Sequence, residues 1–226
     1  MYINTTGIVL REITYKDSSK ILTVLTSSEG KLTVSAHGAH RKNSKLAAVT
    51  GLLVFSEMTL LKKKDRWTMT EARSVEQFLG LRDELELLAL GSYIAELTEA
   101  VADEDSPNPE LLPLCLNALY ALSEKIKTPE FVKPAFELRL MALSGFEPQL
   151  SHIKESSSNT LEEGTIKLGT GAIKAAEYIL TCDSKKLFSF TLNDTALKEL
   201  SKATETYLLT HLDRTFRTLD YYHKVK

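Results

Sequence analysis

The chain has 226 residues, 43% of them apolar, which suits one large globular domain or two to three small ones and excludes a disordered chain. The net charge is −2, but residues 1–79 carry +5, residues 80–150 carry −8 and residues 151–226 carry +1. Because binding responds to the local potential within about 8 Å, the basic first third says more about partners than the whole-chain charge does.

The first 79 residues are predicted to form five short strands and one short helix at residues 47–49. Apolar and polar residues alternate through them, as in strands with one buried face, and Gly30 supplies the positive φ of a hairpin turn. The strands are residues 6–13, 20–26, 31–36, 53–61 and 66–75. Five strands suit a closed barrel of the OB type, because closure removes exposed edges, and an SH3-like barrel fits the same count.

Two basic segments interrupt these strands. The basic loop, residues 36–45, contains His40, Arg41, Lys42 and Lys45, and the lysine turn, residues 62–66, contains three lysines and an arginine. Such clusters resist burial and favour an anion such as a phosphate backbone, and the two could line one groove if their strands pair. The alternative is that both are solvated segments that keep an edge strand soluble.

Four aromatic residues of this region are candidate stacking platforms for unpaired bases: Tyr2, Tyr15, Phe55 and Trp67. Packing in the core is the expected role of Phe55. For Trp67, which lies beside the lysines, stacking and core packing remain equal alternatives.

From Gly80 onward the apolar residues recur every three or four positions, which indicates helices. A first helix runs to about Val101, and a second is predicted to begin at Asn108 as N-cap with Pro109 at the first helical position. A third begins at Thr128 and Pro129, is apolar nearly all round and ends at Gly145. After a serine-rich stretch at 151–160, which is predicted to be a loop or a small excursion, further helices are predicted at residues 169–181 and 194–212.

The sequence offers no sign of an enzyme or a metal site. The five histidines lack metal-ligand spacing, Gly169-Thr170-Gly171 lacks the rest of a phosphate loop, and no serine lies in a glycine-flanked elbow. The two cysteines lie far apart in sequence, which favours free thiols in a reducing compartment. No apolar run approaches the roughly 18 residues of a membrane span, and the N-terminus lacks the features of a signal peptide. We therefore expect a reduced, cytoplasmic protein with no membrane partner, no cofactor and no metal.

Four blocks resemble the bacterial DNA-repair and recombination-mediator RecO family, in the right order and over nearly the whole chain. The blocks are residues 6–12 with 19–22 and 30–31, residues 37–42 with 44–46, residues 136–140 with 145–148, and residues 207–209 with 212–214. The resemblance implies an α+β chain: an OB-fold at residues 1–79 and a helical domain at 80–226, in which 148–192 correspond to a zinc module.

The resemblance implies a non-enzymatic mediator that works at the bacterial nucleoid. Such a protein binds single- and double-stranded DNA, anneals complementary strands coated by single-stranded-DNA-binding protein, and cooperates with RecR in loading the recombinase RecA. From the residues alone, an RNA-binding OB protein and a partner-binding adaptor stay open as alternatives, because RNA offers the same phosphates and base faces. The candidate DNA-binding residues are Arg11, Lys20, Lys31, His37, His40, Arg41, Lys42, Lys45, Lys62, Lys63, Lys64, Arg66 and Trp67.

The chain departs from the family pattern in two places. Many relatives carry two CxxC pairs that bind zinc, and here the corresponding positions, residues 153–156 and 174–177, are free of cysteine, so the module is expected to be degenerate and to lack zinc. Histidines also occupy positions 37 and 40, where the family usually has Lys and Arg. A histidine is mostly uncharged at neutral pH, which weakens a phosphate contact.

The resemblance also implies that the helical domain binds the acidic, hydrophobic C-terminal tail of single-stranded-DNA-binding protein. Such a peptide needs an apolar pocket rimmed by cations. Lys133 and Arg139 are the predicted cations, about 120° apart on the most apolar helix, with Lys133 expected to be the less buried. The alternative is that Arg139 pairs with an acid such as Glu137 or Asp103 for purely structural reasons.

Overall fold

The computed structural model describes residues 1–15, 17–41, 43–152 and 164–226. Its first part is a closed five-stranded barrel with the strand order β1-β2-β3-β5-β4. The strands are β1 (Tyr2–Tyr15), β2 (Ser19–Thr26), β3 (Gly30–Ala36), β4 (Phe55–Lys63) and β5 (Arg66–Glu76). All five predicted strands are confirmed, and this order, in which β3 and β5 are parallel, is that of an OB-type barrel.

Strand β1 closes the barrel by pairing with two strands in turn. Its first half pairs with β4, its second half pairs with β2, and the register shifts between Val9 and Arg11. An extra residue at such a bulge bends a strand and increases its twist, which lets one strand serve both edges. The barrel interior is filled mainly by Val9, Leu22, Val24, Leu32, Val34, Ala36, Met58, Leu60, Trp67 and Met69.

The second part is helical and packs around α3, on which residues 131–141 are all buried. The helices are α1 (Leu85–Val101), α2 (Leu111–Ser123), α3 (Pro129–Leu143), α4 (Thr170–Thr181), α5 (Asp194–Leu212) and α6 (Arg217–Val225). Short 3-10 helices lie at Ala47–Val49, Leu79–Arg82 and Ser184–Lys186, and a parallel strand pair is formed by β6 (Gln149–His152) and β7 (Thr165–Leu168). The prediction of a central helix buried nearly all round is confirmed.

One local prediction in the helical part is wrong, and strand β6 and helix α6 were not predicted. Helix α2 begins at Leu111 rather than Pro109, because the Asn108 side chain accepts the backbone N–H of Glu110 at 3.1 Å and forms a turn there. Strand β6 includes the first two residues of the serine-rich stretch that was predicted to be a loop or a small excursion, and the rest of that stretch lies outside the described part. Helix α6 was not predicted, yet Leu219 and Tyr222 on it are buried.

The outer surface of the barrel and the helices share one apolar core, which is separate from the core inside the barrel. Ile8, Leu10 and Leu25 lie on the outside of the barrel and pack into the helical cluster. The backbone of Lys31 also bonds to the loop after α1: its N–H donates to Asp103 at 3.2 Å, and its carbonyl accepts from Asp105 at 3.3 Å. We call this pair of hydrogen bonds the clasp, and it anchors the β2–β3 hairpin to the helical part.

Gly30, next to the clasp, is a position where only glycine fits. Its φ is +70°, and a Cβ there would lie 2.3 Å from the carbonyl oxygen of Ser106. The hairpin and the loop therefore approach each other more closely than any side chain would allow.

Two classes of feature are not seen in the described residues. None of the helices there is long and apolar enough to cross a membrane. Nor does that part of the chain bring together three or more His, Cys, Asp or Glu side chains that could hold a metal ion. The division at residues 79 and 80, and the assignment of 148–192 to a degenerate zinc module, stay predictions; this range does contain one cysteine, Cys182.

Candidate nucleic-acid interface

The barrel presents one face of paired strands to solvent. A row of residues crosses four strands: Ile13 pairs with Ile21, Ile21 with Ser35, and Ser35 with Thr68. Val34, next to Ser35, is 0% exposed inside the barrel, so strand alternation directs the whole row outward. We call this surface the outer face, and it comprises Arg11, Ile13, Tyr15, Ser19, Ile21, Thr33, Ser35, Arg66 and Thr68.

The outer face combines apolar and hydroxyl side chains. Ile13 and Tyr15 at the end of β1 are each 47% exposed, which is unusual for large apolar residues in a strand. Ser19 and Ile21 of β2 lie directly beside them, and Ser35 of β3 follows Ile21 across the sheet. Flat apolar groups next to hydroxyl groups suit nucleotide bases, which stack on one and hydrogen-bond to the other.

The basic loop leaves the outer face at the end of β3. The backbone N–H of His40 donates to the carbonyl of Ser18 at 3.1 Å, and the His40 ring lies 3.1 Å from the hydroxyl of Thr14. These contacts hold the loop beside the end of β1. The side chains of its predicted phosphate ligands His37, His40, Arg41 and Lys45 are exposed, whereas Lys42 lies outside the described residues.

The lysine turn joins β4 to β5 at the other end of the outer face. Lys63, Lys64 and Arg66 are exposed, and Lys62 is half-buried because its Nζ lies 5.0 Å from the centre of the Trp67 ring. Lys64 adopts a φ of 53°, the left-handed conformation of a tight turn. The turn therefore directs three cationic side chains into solvent.

The two basic segments flank the outer face. Val34 of β3 lies opposite Trp67 of the parallel strand β5. In the basic loop, His37 lies three residues after Val34, and the lysine turn ends at Arg66, one residue before Trp67. Along the direction of the two parallel strands, the two segments are therefore about four residues apart, or about 13 Å. A nucleic-acid strand a few nucleotides long spans that distance.

Three predicted DNA-binding cations already have partners within the protein. Arg11 lies 2.9 Å from the carboxylate of Glu99, and Lys20 is ion-paired with Glu12. The ammonium of Lys31 donates to the backbone carbonyl of Glu99 at 3.0 Å. The charges of Arg11 and Lys20 are thus at least partly neutralised, and the Lys31 ammonium is held by a backbone carbonyl, so all three differ from the cations of the two basic segments.

Of the two alternatives for Trp67, the structure shows core packing, so its prediction as a stacking residue is wrong. Its side chain is only 5% exposed and belongs to the barrel core, because the alternation in β5 directs it inward with Met69.

The exposed aromatic residues near the sheet are Tyr2 and Tyr15, and Phe55 packs against the helical cluster as expected. Sequence reasoning missed Ile13 and Ile21, which the period-2 pattern of β1 and β2 places on the outer face.

The predicted partner-binding residues lie inside the helical part. Lys133 is 2% exposed and Arg139 is 9% exposed, so the expectation that Lys133 is the less buried is wrong. The reason is that Lys133 is held by two carboxylates, Glu137 at 2.7 Å and Glu205 at 2.6 Å. Burial alone would lower the pKa of Lys133, but these two carboxylates outweigh it and raise that pKa.

Arg139 closes the end of a neighbouring helix. Its guanidinium donates to the backbone carbonyls of Ile179, Leu180 and Cys182, at 3.1, 2.5 and 3.0 Å. The last carbonyls of a helix have no partner within it, and a cation there also complements the helix dipole. Of the alternative that Arg139 pairs with an acid, the structure shows a long ion pair with Glu110 at 3.8 Å, rather than with the two acids named as examples, Glu137 and Asp103.

Comparison with known proteins gives a consistent picture over the whole length. The family model described as "Recombination protein O N terminal" matches residues 1–78, and "Recombination protein O C terminal" matches residues 82–220. Similar proteins named "DNA repair protein RecO" occur in Acetivibrio thermocellus, 31% identical over 97% of this chain and 96% of the relative, and in Caldicellulosiruptor bescii, 29% identical over 99% of both. The relative of the same name from Bacillus subtilis is 31% identical over 70% of this chain and 61% of its own length. The barrel, the helical part and these matches together show that the chain belongs to the RecO family.

Proposed function

We propose that this chain is a non-catalytic DNA-repair protein that binds single- and double-stranded DNA on the outer face of its barrel and anneals complementary strands. In this role it works in the bacterial cytoplasm, at the nucleoid, with RecR and with single-stranded-DNA-binding protein, and helps to load the recombinase. The proposal rests on family membership and on the chemistry of the outer face.

One observation carries the DNA-binding part of the proposal: most of the described cations that flank the outer face have no carboxylate partner among the residues that the structure describes. In the described part of the chain, Arg41, Lys45, Lys63, Lys64 and Arg66 form no ion pair with a carboxylate. Arg11 and Lys20, by contrast, are paired. Exposed cations with no internal partner on both sides of a hydroxyl-rich sheet favour an external polyanion.

The test neutralises these cations and measures salt dependence. Replacing Lys63, Lys64 and Arg66 by Gln should weaken binding to all DNA sequences about equally and reduce the slope of log K against log salt by about 0.7 to 0.9 per lost contact. The matched control replaces Lys198 and Lys202, which are exposed on α5, by Gln. An unchanged slope in the turn variant would place the DNA elsewhere.

A second arm addresses stacking on the outer face. Tyr15→Ala should weaken binding to single strands by about 1 to 3 kcal/mol per lost stacked base, whereas Tyr15→Phe keeps the ring and should retain the affinity. Competition between matched DNA and RNA strands then decides between the DNA reading and the RNA-binding alternative. Preferential binding of RNA would overturn the repair assignment.

The partner part of the proposal rests on family membership. Because Lys133 and Arg139 are buried, we propose that they support the site for the acidic tail of single-stranded-DNA-binding protein by holding α3, α4 and α5 in place. A cleft of about 580 Å³ beside Leu143, Phe146 and Leu212 has Asp103 but no Lys or Arg in its lining, so it lacks the cation that such a tail needs. Titration of the tail peptide into wild type and Arg139→Lys tests the supporting role; equal affinity would remove Arg139 from it.

A further inference from the structure

We propose that a second phosphate-binding site lies in the cleft between the barrel and α6, with Arg214 and Arg217 as its ligands, and that it continues the path of a nucleic-acid strand from the outer face. This inference rests on the proposed DNA-binding function. It places part of the nucleic-acid site on the helical part of the chain.

The cleft is large and joins both parts of the molecule. It has a volume of about 660 Å³ and lies between β1, the start of β3, α1 and the beginning of α6. Its lining residues are Leu10, Arg11, Glu12, Lys31, Leu52, Ser92, Glu96, Glu99, Ala100, Arg214, Arg217 and Thr218. This volume is ample for a phosphate and its sugar.

The carboxylates of the cleft are all occupied. Glu99 is paired with Arg11, and Glu12 is paired with Lys20. Glu96 accepts the backbone N–H of Thr218 at 3.1 Å and its hydroxyl at 2.5 Å, so it caps the start of α6. These acids therefore have partners other than the two remaining arginines.

Arg214 and Arg217 are the unpaired cations of the cleft. Both are exposed, and neither forms an ion pair with a carboxylate in the described residues. Guanidinium groups hold phosphates in a bidentate manner, and two of them three residues apart suit neighbouring phosphates of one strand.

The segment that carries these arginines is held firmly in place. Asp213 has a φ of 45° and turns the chain at the end of α5. Phe216 is 1% exposed and packs edge-on against Tyr93, with ring centres 5.8 Å apart. The Arg214 guanidinium lies 4.8 Å from the Phe216 ring, which restricts its position before any ligand binds.

The cleft is continuous with the outer face. Arg11 lines the cleft, and Ile13 and Tyr15 follow on the same side of β1 at alternating positions. Arg11 and Tyr15 are four residues apart along the strand, about 13 Å. A strand stacked on Tyr15 thus reaches the cleft within a few nucleotides, and for this reason we favour nucleic acid over an acidic peptide as the occupant.

The experiment compares oligonucleotides that cover the outer face alone with ones that also reach the cleft. Because the cleft begins only about 13 Å from Tyr15, the probe that stays on the outer face must be very short. Strands of about 2 and about 16 nucleotides therefore serve as probes, with binding followed by fluorescence anisotropy across a salt series. For Arg214→Gln/Arg217→Gln, the salt slope for the longer strand should fall by about 1.4, from two lost contacts, while binding of the shorter strand is unchanged.

The control carries the same charge change elsewhere: Lys198→Gln/Lys202→Gln on α5 should leave both strands unaffected. If loss of the Phe216 contact unfolds the double variant, Arg217→Gln alone should lower the slope for the longer strand by about 0.7. Equal losses for both strands, or an unchanged slope for the longer one, would overturn the cleft site while leaving the outer face intact. Failure of wild type to bind either strand would instead overturn the proposed function, and the cleft site with it.

Discussion

The ammonium of Lys133 lies 2.7 Å from the carboxylate of Glu137, one helical turn further along α3, and both side chains are buried. Glu137 also accepts the hydroxyls of Tyr93 at 2.8 Å and Thr204 at 3.1 Å. A single ion pair thus joins α1, α3 and α5. Burial raises the pKa of Glu137, and Lys133 only partly offsets that increase.

Removal of the Lys133 charge should destabilise the fold strongly. Lys133→Met leaves Glu137 buried without a cation, and we expect the free energy of unfolding to fall by about 3 to 5 kcal/mol in urea titrations. The double variant Lys133→Met/Glu137→Gln should recover part of this loss, since no buried charge remains. A loss below about 1 kcal/mol, the range of exposed ion pairs, would contradict the buried pair.

The ion pairs of Glu205 should also make the stability of the protein depend on pH in acid. Burial alone would raise the pKa of Glu205, but Lys133 and then His223 outweigh it and hold that pKa below its ordinary value of 4.5. A carboxyl group with a lowered pKa in the folded state stabilises the protein above 4.5, and this contribution is lost as the pH falls through the folded-state value. The difference in unfolding free energy between wild type and Glu205→Gln should therefore shrink as the pH falls below 4.5. A difference that grows in acid would refute this sign.

Trp67 should matter for stability rather than for DNA. Trp67→Ala removes a large side chain from the barrel core, so we expect a loss of about 3 to 5 kcal/mol in unfolding free energy. Trp67→Phe keeps most of the volume and should bind DNA as wild type does, which a titration with single strands can check. If Trp67→Phe folds but binds single-stranded DNA markedly more weakly than wild type, Trp67 is part of the DNA-binding site after all.

The purified protein should contain well under one zinc per chain. A structural zinc needs four close ligands, and residues 148–192 offer one cysteine, Cys182, whose neighbour Asp183 binds the backbone of Lys185 instead. Elemental analysis after purification without chelator decides the matter. Stoichiometric zinc, lost together with helical structure on chelation, would show that the module is intact.

The barrel could be predicted from the sequence because strand alternation is a local signal. Leu32 and Val34 alternate with Thr33 and Ser35, and this pattern alone gives β3 and its buried face. Which cations stay unpaired is not a local property. Arg11 is neutralised by Glu99 of α1, and only the packing of that helix on the barrel brings the two together.

Lys133 and α6 show two different reasons why a prediction from sequence failed. A lysine on an apolar helix is normally expected at the edge of the buried surface. Glu137, four residues later, was the one local sign that Lys133 forms a buried ion pair. The second carboxylate, that of Glu205, comes from α5, which is distant in sequence. Helix α6 carries a weaker signal: Phe216, Leu219 and Tyr222 recur every three residues in an otherwise polar segment. Only contact with α1 turns that short pattern into a stable helix.

The shared core and the clasp leave this protein without a hinge where its two family models meet. Phe78 and Leu81, on either side of that point, are 3% and 1% exposed, and Lys31 is bonded to the loop after α1. The barrel therefore cannot swing on a tether relative to the helices. A DNA strand bound to the barrel and a partner bound to the helices therefore stay at a fixed distance and angle to each other. Differently shaped ligands must then be accommodated by the surface loops rather than by a movement between the two parts.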